Sequence, residues 1–509
     1  MAAMANNLRG LSQPIDVASL DAIVSASHGT GSEEERAAEQ ILGDLENDPS
    51  TWLQVRHILQ DTKNLKTKLF ALKVLEGVVK NRWNALPHKQ RDWMKNYISQ
   101  VIMQLSSNEA SLRMEKLFIN TLNIISVQIL KREWPGRWRS FFPYDLVLAA
   151  TTSETIRINY MAILTLLSED LYDFSRGEMT EQKIKELEQS LNSELQLIYE
   201  LCSYVLSATQ RTELMSITLS TLCVFLPGIP LGYIFKSPLL EMLLEIIPVP
   251  STSNLTLQCL TLVATRNSGN IHDLQFVNMY KAFMVQLQQA ILPPTANIPE
   301  AYAHGSSEQQ AFIQKLALFF TSFYKVRIRI LESTQEDVAF LLLGLEYLVN
   351  ISYVEDTEVF MVCLDYWNTL VLELFQMPSN PGMVNDLGSK LLQRQQLYAN
   401  PLSKLRMLIL HRMAKPEIVL IVEDEKGNSV RETMKDENAP VQYKRMKDIL
   451  FYLSCLGHED TEKQMLKLLS KRLSGEDWLR NNLNTLYWAI GSISGSMMDA
   501  QVLLELFLI

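Results

Sequence analysis

The chain reads as an all-α protein, a HEAT-repeat α-solenoid (superhelical arch) carrying one inserted acidic β-hairpin loop. Three observations predict this. Apolar residues recur at helical spacing from about Ile15 almost to the C-terminus. Prolines fall mostly between the periodic segments, where helix breakers belong. A length of 509 residues exceeds one ordinary core, so the helices form either an array or several domains.

The elements follow in order. Ser32-Glu33-Glu34-Glu35 reads as a capping box, and Ala38, Ile41, Leu42 and Leu45 then share a face. Asp48-Pro49 ends that helix, and the next carries Trp52, Val55, Ile58 and Leu59. A third is lined by Leu69, Leu72, Leu75, Val78 and Val79 and ends near Trp83. Pro87 opens a fourth, with Trp93, Tyr97, Val101 and Leu105. The period continues through Phe118–Leu130, Met161–Leu167, Leu191–Leu206, Phe276–Leu292, Phe312–Leu331, Val338–Val349 and Val359–Phe375. Such helices with short joints suggest stacked antiparallel pairs, about 40–47 residues per pair. Separate bundles are the competing arrangement and call for long polar linkers. The candidates are 376–394 and 295–308, and neither is low-complexity.

One stretch breaks the rhythm. After Lys415-Pro416 comes Ile418-Val419-Leu420-Ile421-Val422, then the charged, Gly-containing turn Glu423 to Asn428, then Ser429 to Met434. A β-branched run, a turn and a second short run predict a hairpin. From Glu423 to Glu437 there are six acids (Glu423, Asp424, Glu425, Glu432, Asp436, Glu437) and three bases, a net of −3. The bland alternative is a loop whose charges only keep it wet. The apolar strand before the charges argues against a mere spacer. A projecting element on a rigid scaffold is where binding tends to sit.

Composition narrows the function. The hydrophobic fraction is 47% and the charged fraction 20%, both ordinary for a folded protein. The formal charge of −10 argues against a general nucleic-acid binder and suits a basic protein partner. Cys202, Cys223, Cys259, Cys363 and Cys455 are widely spaced, with no zinc-ligand pattern and no small disulfide framework, which fits a reducing compartment. The N-terminus lacks the apolar core of a signal peptide, and the best apolar stretch, Ala339 to Ile351, is short and carries Glu346. Two Asn-x-Ser/Thr matches, at Asn254 and Asn350, are then chance. Phosphate-loop, dinucleotide, metalloprotease and nucleophile-elbow patterns are all missing, and the seven histidines are scattered. His28-Gly29-Thr30-Gly31-Ser32 lacks the lysine and preceding strand of a phosphate cradle. The expectation is no enzyme, no cofactor and no metal. The eight tryptophans recur at helical positions and read as core.

Several segments go beyond pattern. Glu133-Trp134-Pro135-Gly136-Arg137-Trp138, Ile229-Pro230-Leu231-Gly232-Tyr233-Ile234-Phe235, Arg412-Met413-Ala414-Lys415-Pro416-Glu417 and the run Asn482 to Gly495 resemble the exportin-1 family of nuclear export receptors, within the importin-beta superfamily. The resemblance runs in order from about Ser12 to Ser496 and is nearest to plant members. It implies a HEAT solenoid that binds the small GTPase Ran in its GTP state and carries proteins with leucine-rich export signals through nuclear pores. It implies Ran-GTP, export cargo and nuclear pore proteins as partners, shuttling between nucleus and cytoplasm, and neither nucleic-acid binding nor membrane insertion. It assigns the Ran-facing role to the six acids Glu423, Asp424, Glu425, Glu432, Asp436 and Glu437. It assigns an N-terminal contact to Lys80, Arg82 and Trp83, with core packing the stronger reading for Trp83. The expected division is 1–33, an N-terminal segment; 34–150, importin N-terminal-like Ran-binding repeats; 151–415, central repeats; 416–440, the acidic loop; and 441–509, further repeats with a divergent end.

Departures accompany the resemblance. Tyr144 and one of Gln288/Gln289 read as single insertions, and the 376–394 linker is short. Members of the family continue past the point where this chain stops, and their cargo groove and its reactive cysteine lie in that later part. The expectation is a truncated form without the groove. The alternative is a Ran-binding or other HEAT-repeat scaffold without export activity.

Overall fold

The computed structural model describes residues 14–27, 33–146, 151–172, 180–376, 387–413, 418–423, 429–434, 438–473, 489 and 491. Two compact units divide the chain, Met1–Ile234 and Phe235–Ile509.

Unit 1 holds α1 (Val17–Ala26), α2 (Glu33–Asn47), α3 (Val55–Asp61), α4 (Leu65–Asn81), α5 (His88–Ser106), α6 (Glu109–Met114), α7 (Lys116–Glu133), α8 (Glu154–Tyr172), α9 (Glu181–Ala208) and α10 (Thr212–Phe225). The starts follow local chemistry. The Asn64 side chain accepts from the Lys66 N–H and caps α4, and Asn108 does the same for α6. Helices α4, α7, α8 and α10 stack in one row, with α5 and α9 packed against it. Each helix touches elements close in sequence, which is the one-dimensional contact pattern of a repeat array. Buried polar residues fix the register. Asn123 of α7 and Asn159 of α8 exchange amide hydrogen bonds at 2.8 and 3.1 Å.

Helix α11 (Leu231–Lys236) ends at the start of unit 2, followed by α12 (Leu239–Ile246), α13 (Pro250–Ala264), α14 (Asp273–Gln286), α15 (Ile298–His304), α16 (Ser307–Arg327), α17 (Gln335–Ser352), α18 (Thr357–Gln376), α19 (Leu387–Arg412), α20 (Asn438–Leu456) and α21 (His458–Leu473). Pro250 opens α13 at its first turn, and α16 has a complete Ser306/Gln309 capping box. One row runs α13, α16, α18, α20; the other runs α12, α14, α17, α19, α21. The core is aromatic and aliphatic, with Trp367 fully buried and its indole N–H donating to Ser352 Oγ at 3.0 Å.

This is an α-solenoid of stacked helical repeats. Polar ties between successive repeats join residues 36 to 66 positions apart, as in Asn123–Asn159 and Tyr398–Glu332. Many of these separations exceed the 40–47 residues expected per pair, because short extra helices and turns pad the repeats. The two candidate linkers are partly helical. Residues 295–308 contain α15, capped by Asn297 with Pro299 in its first turn, and the second half of 376–394 is already α19, whose interior accommodates Pro401. Residues 377–386 lie outside the described residues, as does the Ser32 cap.

Both positions read as single insertions lie in wide π-helical turns, Phe141–Leu146 and Leu287–Ile291. In the second, the Leu292 N–H donates to the Leu287 carbonyl at 2.8 Å, a five-residue step. An extra residue inside a helix is absorbed there as one wider turn rather than as a break.

Candidate functional site

Two places carry the residues singled out from the sequence. The first is the end of unit 1 where α4 and α7 terminate. Lys80 closes α4 and pairs with Glu76 at 2.9 Å, one turn earlier. Arg82 follows, and its Nη2 donates to the Asn47 carbonyl at 2.8 Å, satisfying the end of α2. Trp83 is 1% exposed. Its indole N–H donates to Glu133 Oε1 at 2.8 Å, so it is a packed repeat-to-repeat tie with no surface to offer a partner.

Glu133 is the centre of this end, and sequence reasoning missed it as such. Its side chain is 4% exposed, and two guanidinium groups face it: Arg91 Nη1 lies 3.5 Å away and Arg137 Nη1 3.7 Å away. A carboxylate taken out of water needs such partners. Arg132 Nη2 donates to the Lys80 carbonyl at 2.8 Å, tying α7 to α4. Helical spacing held the signal: Glu133 follows Ile129 by four positions and Leu130 by three, on the inward face of α7.

The second place is the segment between α19 and α20. The backbone pairs β1 (Ile418–Glu423) with β2 (Ser429–Met434) antiparallel, Ile418 opposite Met434 and Glu423 opposite Ser429. Of the six acids, Glu423 and Glu432 occupy strand positions. Glu423 pairs in register with Ser429, and Glu432 with Leu420. Asp424, Glu425, Asp436 and Glu437 lie outside the described residues.

Among the described residues no group of His, Cys, Asp and Glu could hold a metal, and no helix is long and apolar enough to cross a membrane. A cleft of about 540 Å³ opens between the start of α13, the turn after α14 and the start of α16. Its lining is mainly proline and aliphatic, with Phe312 and Ile313, and Glu308 is the single titratable residue in it. One carboxylate without a partner is no acid–base pair. Burial pushes the Cys202 and Cys363 thiols up to about 12, the opposite of an activated nucleophile.

Comparison with known proteins agrees with this architecture. The family described as Exportin 1-like protein matches residues 115–260, and the Importin-beta N-terminal domain matches 38–104. Exportin repeat families match 339–375, 394–461 and 474–503. Protein EXPORTIN 1A of Arabidopsis thaliana is 64% identical over 98% of this chain and 48% of its own length. EXPORTIN 1B of the same plant is likewise 64% identical, and Exportin-1 of Drosophila melanogaster is 40% identical over 97% of this chain and 46% of its own. The chain spans about half the length of the relatives it matches. A solved structure titled "Importin13 cytosolic state" superposes with a TM-score of 0.58 at 11% identity, covering 84% of this chain and 46% of that one, a likeness of fold.

Proposed function

The chain belongs to the exportin-1 family, matching its N-terminal half, and from that premise we propose that it is the Ran-GTP-binding part of a nuclear export receptor. The observation that carries the reading is the 64% identity with two plant exportins over 98% of this chain. The acidic segment supports it physically. Carboxylates on a two-stranded ribbon, held between two helices of the array, suit a basic face of a GTPase, where complementary charge sets orientation and association rate. Lys80 and Arg82 supply a second contact at the end of unit 1. At the family level this is a transport receptor rather than an enzyme. Export of proteins bearing leucine-rich signals, contact with nuclear pore proteins, and shuttling between nucleus and cytoplasm belong to the same reading.

The test is a pull-down of the chain with Ran loaded with GTP or with GDP. Selective retention of the GTP form is expected. Neutralising four acids of this segment (Asp424→Asn, Glu425→Gln, Asp436→Asn, Glu437→Gln) is expected to weaken retention most at low salt, because exposed charges are screened beyond about 10 Å at 0.1 M. Equal capture of both nucleotide forms, or none, sinks the proposal.

A further inference from the structure

Charge is spread unevenly along this chain. Residues 51–140 hold 16 Lys and Arg against 6 Asp and Glu, an excess of +10 in a chain whose total is −10, which leaves −20 on the rest. Part of the excess is gathered where α4 and α7 end and α5 begins. Arg91 and Arg137 share Glu133, and Arg132 reaches the carbonyl of Lys80. Lys89, Arg132, Arg137 and Arg139 are exposed there.

Cations at helix C-termini often do no more than complement the helix dipole. Arg82 and Arg132 fit that account, each through one nitrogen bound to a carbonyl. Lys89 does not. It stands in the first turn of α5, where a cation is disfavoured, and that turn has neither a side-chain cap nor an acid. Arg137 and Arg139 lie past the end of α7, and among the described residues the one carboxylate that Arg137 reaches is already shared with Arg91 and Trp83. The arrangement accumulates positive charge beyond what the fold needs.

We propose that this edge of unit 1, presented by Lys89, Arg132, Arg137 and Arg139, is a docking surface for an acidic polypeptide segment. Two observations choose that occupant over other polyanions. Single-stranded nucleic acid binds through aromatic platforms beside its cations; Trp83, Trp134 and Trp138 are turned inward at 1%, 3% and 6% exposure, and the half-buried Trp93, one turn past Lys89, has its ring stacked on Tyr97. A membrane surface favours apolar side chains near the cations, and exposed Leu65 and Leu117 sit at the opposite ends of α4 and α7. The −20 elsewhere repels a long polyanion, whereas a short acidic segment covers the edge alone.

The test uses the full chain and fluorescein-labelled deca-glutamate, read by anisotropy at about 50 and about 150 mM salt. The edge triple Lys89→Glu/Arg137→Glu/Arg139→Glu is compared with Arg56→Glu/Lys63→Glu/Lys66→Glu, which removes equal charge from exposed or loop positions near the other end of α4. The expected result is wild-type binding that weakens with salt, at least about tenfold weaker in the edge triple and within about twofold in the control. If charge reversal beside Glu133 unfolds the chain, the Gln triple at the same positions makes the same comparison. Equal loss in both triples, no binding by the wild type, or equally tight binding of an oligo-dT strand or of phosphatidylserine vesicles overturns the proposal. The edge triple spares Lys80 and Arg82, so GTPase capture is read separately.

Discussion

At the Glu133 node of unit 1, one buried carboxylate receives an indole N–H and faces two guanidinium groups. Along α14 to α19 of unit 2, neighbouring repeats also meet through buried tyrosines, beside the Arg394–Glu332 ion pair at 2.9 Å. Tyr280 and Tyr324 share a hydroxyl hydrogen bond of 2.6 Å, Tyr347 donates to the Leu292 carbonyl at 2.5 Å, and Tyr398 donates to Glu332 at 2.6 Å. Both regions tie one repeat to the next. The charged tie needs partners, and one of them, Arg137, is half exposed, so the tie leads to the surface. These tyrosines are closed off: Tyr280, Tyr324, Tyr366 and Tyr398 are essentially inaccessible. The closed tie should therefore be sensitive to volume and to hydroxide. The charged tie should be sensitive to the loss of one charge.

The largest separation of the two is expected at high pH. Burial raises Tyr280, Tyr324, Tyr366 and Tyr398 above the ordinary tyrosine value and pushes Tyr347 up to about 12. An unfolded tyrosine ionises near about 10. The stability these groups contribute is present below that value and is lost as pH climbs from there towards and through the raised folded values. Unit 2 should lose hydrogen-exchange protection before unit 1 in an alkaline titration. Loss of protection in both units at one pH breaks the contrast.

Next in size is Gly344→Ala. A methyl on Gly344 would run into the Tyr280 and Tyr324 hydroxyls, and overpacking these buried tyrosines costs about 3 kcal/mol. Urea unfolding should show it, and a cost under about 0.5 kcal/mol would mean the tyrosines yield. In unit 1, Glu133→Gln keeps an acceptor for Trp83 but strips the charge facing Arg91 and Arg137. The expected cost is about 2 kcal/mol, partly recovered when Arg91→Gln is added. Strict additivity of the two changes would show that the node is not one unit. The smallest effect is Tyr280→Phe, about 1 to 1.5 kcal/mol, because Tyr324 loses its partner while the ring packing stays. A stabilising result would show that the hydroxyl pair is a burden rather than a tie.

Much of the array was legible one segment at a time. The inward faces of α4 and α16 follow directly from apolar spacing, and the joints at Pro49 and Pro87 stop or start helices as their missing N–H requires. The two positions that the family resemblance marks as extra, Tyr144 and one of Gln288/Gln289, fall in wide helical turns. Residues 295–308 were harder. Their polar, proline-containing composition reads as linker, yet Asn297 and Pro299 together start a helix. The site divided in the same way. Trp83 reads as core from its position, and it is core. Its partner Glu133 lies fifty residues away; helical spacing turns Glu133 inward, and nothing local names the indole it meets.

What the sequence determined alone is the helical period, its stops and starts, and the kinship carried by long matching strings, all properties of residues near one another along the chain. Tertiary structure alone decided which buried carboxylate meets which guanidinium, which hydroxyls meet, and that basic residues from α4, α5 and α7 collect at one edge. The physical reason is distance along the chain. Repeats stack through partners 36 to 66 residues apart, and a buried polar group is satisfied only by what that stacking brings to it.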